Sequence, residues 1–154
     1  MSTLTEDLTE LFDHTWGRFR ARMAGLGDAE WDWRPTGDAR LTLRWRIAHL
    51  TATLREDRNP AWLGLPTVRP PAERDPEPEP ESARAALAAA ELAYARWRGW
   101  LAETPADRLA EPIGAVAGPY GEYSRLSFVL HIADELVHHT AEAALLRDLY
   151  AGTR

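Results

Sequence analysis

Residues 124–150, SRLSFVLHIADELVHHTAEAALLRDLY, constrain the fold more than any other stretch of the chain. At about 100° per residue, Phe128, Ile132, Glu135, His139, Ala143, Leu146 and Tyr150 share one helical face. Leu126, Val129, Leu130, Ala133, Leu136, Val137 and Thr140 share another. A helix that is apolar on two sides is packed on two sides, so the spacing predicts a helix set inside a bundle. Glu135 and His139 stand one turn apart in the middle of an apolar face. An unpaired carboxylate in a core is costly, so the pair requires a partner, and a metal ion is one candidate.

Length and charge bound what such a bundle does. At 154 residues the chain is long enough for one sizeable core, and a single domain over residues 1–154 is expected. No run of eighteen apolar residues is present, and the N-terminal MSTLTEDLTELF has neither a basic nor an apolar signal region, so a cytoplasmic location is expected. A net charge of −6 gives no electrostatic reason to bind nucleic acid or an anionic membrane, and small-molecule or protein partners are expected instead. With no cysteine, a metal has only His, Asp and Glu to hold it, and any thiol chemistry uses a thiol from outside.

Four helices follow from periodicity and caps, near residues 4–24, 42–57, 82–102 and 125–150. The first opens on a Thr3/Glu6 capping box, carries a stripe of Leu4, Leu8, Leu11, Thr15, Phe19 and Met23, and leaves His14 at the surface. The turn after it holds Trp31 and Trp33 near Arg34, a plug for the end of the bundle in preference to a pocket wall. The second helix has Leu43, Ile47, Leu50 and Leu54 on its main stripe. His49 lies off it with Trp45, Ala48 and Ala52, on a face whose small residues let another helix approach. Ser82 caps the third helix, whose stripe is Ala83, Leu87, Ala90, Tyr94, Trp97 and Leu101. Seven of the eleven prolines fall between Pro60 and Pro80, so residues 59–81 are expected to be an exposed, non-helical crossover. A crossover this long lets the second and third helices run parallel, and the fold class is an all-α four-helix bundle in up-down-down-up order.

Candidate chemistry rests on His49, Glu135 and His139. A Glu and a His four apart point the same way from one helix, and a ligand from a neighbouring helix completes a three-point N/O site with open positions. Such an ion lowers the pKa of a bound water or thiol and polarises a carbonyl. The ligand set accepts zinc, nickel, manganese or iron and does not choose among them. His131, His138 and Glu142 lie toward one edge of the same face. They form a competing set, with Glu142 read also as an acceptor behind a ligating His.

Taken together, H131-IAD-E135-LV-H138-H139-TA-E142, W45-RIA-H49-L and the long crossover resemble the DinB-like bundle superfamily, which includes thiol-dependent maleylpyruvate isomerase N-terminal domains. The resemblance covers nearly the whole chain. It implies a divalent metal on one His of the second helix and two ligands four apart on the last, which here are His49, Glu135 and His139. Glu135 stands where a first His is frequent, and Glu-x-x-x-His is the isomerase branch's variant. The resemblance further implies a transferase that directs a small thiol such as mycothiol at an electrophile. A non-catalytic metal-binding or stress-associated module, which uses the bundle for homodimerisation or sequestration, and a metal-dependent hydrolase are the alternatives.

Overall fold

The computed structural model describes residues 3–67 and 78–154. Its helices are α1 (Leu4–Met23), α2 (Asp28–Trp31), α3 (Leu43–Arg55), α4 (Arg58–Trp62), α5 (Ala83–Glu103) and α6 (Arg125–Ala151), with 3-10 turns at Ala39–Leu41, Ala106–Ala110 and Ala115–Tyr120. The long helices begin where side chains satisfy first-turn amides. Thr3 Oγ1 accepts from Glu6 N at 3.2 Å while Thr3 N donates to Glu6 Oε2 at 2.6 Å. Thr42, Ser82 and Ser124 cap α3, α5 and α6 with the side-chain acceptor alone, taking the amides of Trp45, Ala85 and Ser127.

Contacts between helices fix their directions. Asp13 of α1 meets Tyr94 and Arg98 of α5, while Trp16 and Arg20, further along α1, meet Glu91, so these two helices are antiparallel. Arg46 and His49 of α3 meet Glu142 and Glu135 of α6, in reverse order, so α3 runs against α6. Arg22, near the end of α1, reaches Asp148 and the carbonyl of Ala144 near the end of α6. Thr5 at the start of α1 lies at Thr104, just beyond α5, and Arg125 N at the start of α6 donates to Glu111 O, eight residues beyond α5. Hence α1 and α6 point one way, α3 and α5 the other, and the expected up-down-down-up bundle is what forms.

Two long-range clamps set the helix spacing. Between α1 and α5, Tyr94 Oη donates to Asp13 at 2.6 Å, Arg98 grips both Asp13 oxygens, and Trp16 stacks on Tyr94 with ring centroids 4.5 Å apart. At the other end, Arg147 of α6 donates to the carbonyls of Arg22 and Ala24 at 2.6 and 2.8 Å and pairs with Glu30. A cation thus occupies the carbonyl end of α1, where the helix dipole favours one.

The core corrects several expectations. On α1 the buried residues are Leu8, Phe12, Thr15, Trp16, Phe19 and Met23, whereas Leu4 and Leu11 are exposed. Both stripes obey the three-four spacing; the aromatic one faces inward because it buries more area per residue. On α6, Leu130 and Val137 face solvent while Val129, Ala133, Leu136 and Thr140 are buried, so its second packed face is narrower than the apolar pattern. No helix among the described residues covers Ala48 and Ala52. They are exposed and line a cavity of about 420 Å³ between α3 and α5, which Trp31 and Trp45 also border. Trp31 is buried, as a plug requires, and Arg44, not Arg34, lies over its ring at 4.0 Å.

The proline-rich stretch differs most from expectation. Its first residues are helical and packed, since Arg58–Trp62 forms α4, and Asn59, Pro60 and Leu63 are buried. Pro60 sits in the first turn of α4, where the amide that proline lacks has no intrahelical partner to lose. Asn59 Nδ2 donates to the carbonyls of Thr53 and Leu54 at 2.9 and 3.1 Å, which ties α4 to the end of α3. Arg125 reaches back to Trp62 O at 2.8 Å. Residues 68–77 of the expected crossover lie outside the described residues.

Candidate metal centre

The middle turns of α3 and α6 face each other and bring together all three residues that the sequence singles out. Glu135 and His139 lie one turn apart on α6, and His49 approaches from α3. His49 Nε2 stands 3.3 Å and His139 Nε2 3.2 Å from the same oxygen, Oε2 of Glu135. The two imidazoles meet edge to face with centroids 4.6 Å apart, and Trp45, one turn before His49, stacks flat on its ring at 4.7 Å. His139 is buried, whereas the His49 side chain is 37% exposed, so the cluster is closed toward the core and open toward solvent.

Orientation comes from the turn beyond. Glu142 Oε2 accepts from Arg46 at 2.8 Å and lies 2.9 Å from His139 Nδ1. Arg46 also approaches that nitrogen at 3.3 Å, but a single Nδ1 does not both donate to Glu142 and accept from Arg46. The shorter contact and the carboxylate's need for donors place the proton on Nδ1. Nε2 of His139 then faces the Glu135 carboxylate, and the contact calls for positive charge between them, supplied either by a proton on that nitrogen or by a metal ion.

Electrostatics agree with that geometry. Partial burial opposes ionisation of Glu135, yet the hydrogen bond from His49 and the charges of His139, His131 and His49 outweigh it, and its carboxyl titrates below the usual range. At Glu142 burial is likewise outweighed, by the hydrogen bond from His139, the charge of Arg46 and the hydrogen bond and charge of His138. Both carboxylates are therefore ionised at neutral pH.

The donor set fits a small divalent ion. Ligand atoms held about 2.0–2.1 Å from a four-coordinate ion stand about 3.3 Å from one another, which the two His-to-Glu135 separations match. His49, Glu135 and His139 each offer an atom within 4.8 Å of the others and could hold a metal. His138, His139 and Glu142 meet the same condition. In that second group Glu142 is already committed to Arg46 and His139, and the guanidinium opposes a further cation beside it. Glu142 stands instead as the acceptor for His139 Nδ1. His14 is exposed, as expected for a surface histidine.

Sequence reasoning passed over Arg46. Its signal was its position three residues before His49 on the same face of α3, with a side chain that the structure leaves only 11% exposed.

The profile of the DinB superfamily matches residues 11–143. A crystal structure of a conserved protein from Enterococcus faecalis superposes with a TM-score of 0.71 over 99% of both chains at 18% identity, which establishes likeness of fold alone. No functionally curated protein matches the sequence. No helix among the described residues is long and apolar enough to cross a membrane. With a profile match over most of its length, and with the bundle and its His/Glu cluster in place, the chain belongs to the DinB superfamily.

Proposed function

We propose that His49, Glu135 and His139 bind a divalent metal ion, zinc first, and that the loaded protein transfers a small exogenous thiol of the mycothiol type to an electrophile. The convergence of two imidazole Nε2 atoms on one Glu135 oxygen at 3.2–3.3 Å, open on one side, carries this reading. When bound, the ion supplies a positive charge that favours the ionised form of a thiol or of water beside it. The chain contributes the rest. Trp45 fixes the plane of the His49 ring, Glu142 and Arg46 hold the His139 proton on Nδ1, and burial of His139 keeps water from the inner side. Because the chain has no cysteine, the attacking sulfur is not its own. In the transfer, the thiol gives its proton to solvent, its sulfur forms a bond to an electrophilic carbon, and the leaving group departs with the electron pair of the broken bond.

The partly exposed mouth favours turnover over sequestration, since a structural site is closed by its ligands. A homodimer belongs to the same reading. Leu130, Val137, Leu145 and Leu149 lie exposed along α6, and sedimentation across a concentration range tests whether a second copy covers them.

Metal analysis is the first test. One equivalent of divalent ion is expected in the wild type, near zero in His49→Ala and His139→Ala, and one in His14→Ala. Retention in the His49 variant would move the site to His138, His139 and Glu142. Calorimetry with mycothiol in buffers of different ionisation enthalpy then reads release of about one proton on binding, as expected for a thiol that ionises at a metal. If metal-loaded protein neither binds thiols nor releases a proton, the transferase reading yields to the hydrolase or to the non-catalytic module.

A further inference from the structure

Two tyrosines are displayed to solvent by a loop that uses three glycines to do so. Between α5 and α6, Gly114 and Gly118 adopt φ of +89° and +54°, where side chains are disfavoured, and a Cβ on Gly121 would lie 2.6 Å from Gly114 O. The loop closes through Gly114 N to Gly121 O at 2.9 Å and Gly121 N to Gly118 O at 3.1 Å. It is anchored by Ile113 N to Tyr123 O at 2.9 Å. The backbone is thus well determined, yet its two large side chains are not packed away: Tyr120 and Tyr123 are 56% and 58% exposed. Burial of apolar area does not account for them.

They face a space. Trp62 of α4 lies 6.0 Å from the Tyr120 ring and 5.0 Å from Phe128 of α6. Together with Tyr123 and Ile113 these rings line a cavity of about 300 Å³, the size of a small organic ligand. Among the described residues its lining carries Arg58 and His131 and no carboxylate, in a chain of net charge −6; Arg58 also pairs through Nε with Glu56, which lies outside the lining. Arg58 lies over the Trp62 ring at 4.5 Å, so its position is held by the same wall. Flat aromatic faces select a planar ligand, and the Arg58 guanidinium, with donors beyond the Nε that meets Glu56, selects an anionic one. The cavity also has an address. His131 lies one helical turn before Glu135 on α6, about 6 Å along the axis, so the space adjoins the candidate metal centre.

We propose that this cavity binds a planar aromatic carboxylic acid, its ring against Trp62, Tyr120 and Tyr123 and its carboxylate at Arg58 and His131, and that it holds the organic electrophile beside the metal centre. The second half of this statement rests on the function proposed above; the first half does not.

The test uses 2-naphthoate as probe and its neutral counterpart 2-naphthamide, by calorimetry and ligand-observed NMR on the full chain. With metal removed by chelation, naphthoate is expected to bind, and the amide about fivefold or more weaker. Tyr120→Ala/Tyr123→Ala is expected to weaken naphthoate about tenfold or more. Both side chains are exposed, and an unchanged circular dichroism spectrum verifies the fold. Arg58→Gln is expected to abolish the preference for the acid over the amide. Absence of naphthoate binding, or equal binding in the tyrosine double variant, overturns the pocket; equal affinity for acid and amide overturns the ligand class. Naphthoate binding that survives in His49→Ala supports the pocket whatever the fate of the metal reading, whereas metal binding without naphthoate binding sinks the pocket and leaves that reading standing. Zinc loading is expected to change naphthoate affinity at least about threefold, and an unchanged affinity overturns the placement beside the metal.

Discussion

Glu142 is where one residue's role is most sharply testable. Its Oε2 joins His139 Nδ1 and the Arg46 guanidinium, so it sets which His139 nitrogen keeps a lone pair. Glu142→Gln retains size and one acceptor but loses the charge. Metal affinity is expected to fall about 10- to 100-fold, as measured by competition with a chelator. His138→Ala, which removes a partly solvated neighbour of Glu142 at 3.0 Å, is expected to leave affinity within about twofold. A reversed order, with His138 the sensitive position, would assign the ion to the outer cluster. Arg46→Ala removes the second partner of Glu142, and its expected loss of affinity is smaller than that of Glu142→Gln because His139 keeps its acceptor.

At the scale of elements, the contact of α1 with α5 carries a pH dependence. The Arg98 guanidinium holds the Asp13 carboxyl below its ordinary range against partial burial, with Tyr94 Oη adding a second donor, and Arg20 does the same for Glu91 with help from the Trp16 indole. Both folded-state values lie below the unfolded ones. Their contribution is therefore complete above the usual carboxylate pKa and is lost as pH falls through the lowered folded values. The thermal midpoint is expected to decline as pH drops below about 4, and to decline less in Asp13→Asn. An equal acid sensitivity in that variant would show that other carboxylates control it. Tyr94→Phe keeps the stack on Trp16 but removes a donor from Asp13, for an expected cost of about 1 kcal/mol in urea unfolding.

For the whole molecule, Trp97 joins the bundle at its centre. It is fully buried, lies 5.5 Å from Phe12 of α1 and 5.9 Å from Phe128 of α6, and so ties three helices together. Trp97→Ala is expected to cost about 3–5 kcal/mol and to lower the thermal midpoint by roughly 10 °C or more, readable by circular dichroism at 222 nm. A loss below about 1 kcal/mol would mean that the three helices do not meet at this ring. Much of this architecture was legible in the chain, for a local reason. Thr3, Thr42, Ser82 and Ser124 mark helix starts because a cap acts on amides two or three residues away, and Glu135 and His139 share a face because helical period fixes it. Those features pointed to the bundle and put the trio His49, Glu135 and His139 first, with His131, His138 and Glu142 left as a competing set. Tertiary structure decided what depends on distance between elements. Periodicity permits either Leu4 and Leu11 or Phe12 and Trp16 to face inward, and only the approach of Tyr94 and Trp97 selects the aromatic pair. Composition reads residues 59–67 as irregular, and only Asn59 bonding back to Thr53 and Leu54 reveals a packed α4. Arg46 became visible as the partner of Glu142, and Tyr120 as the neighbour of Trp62, once the helices were in place, because a side chain's chemistry is set by what stands within a few ångströms of it.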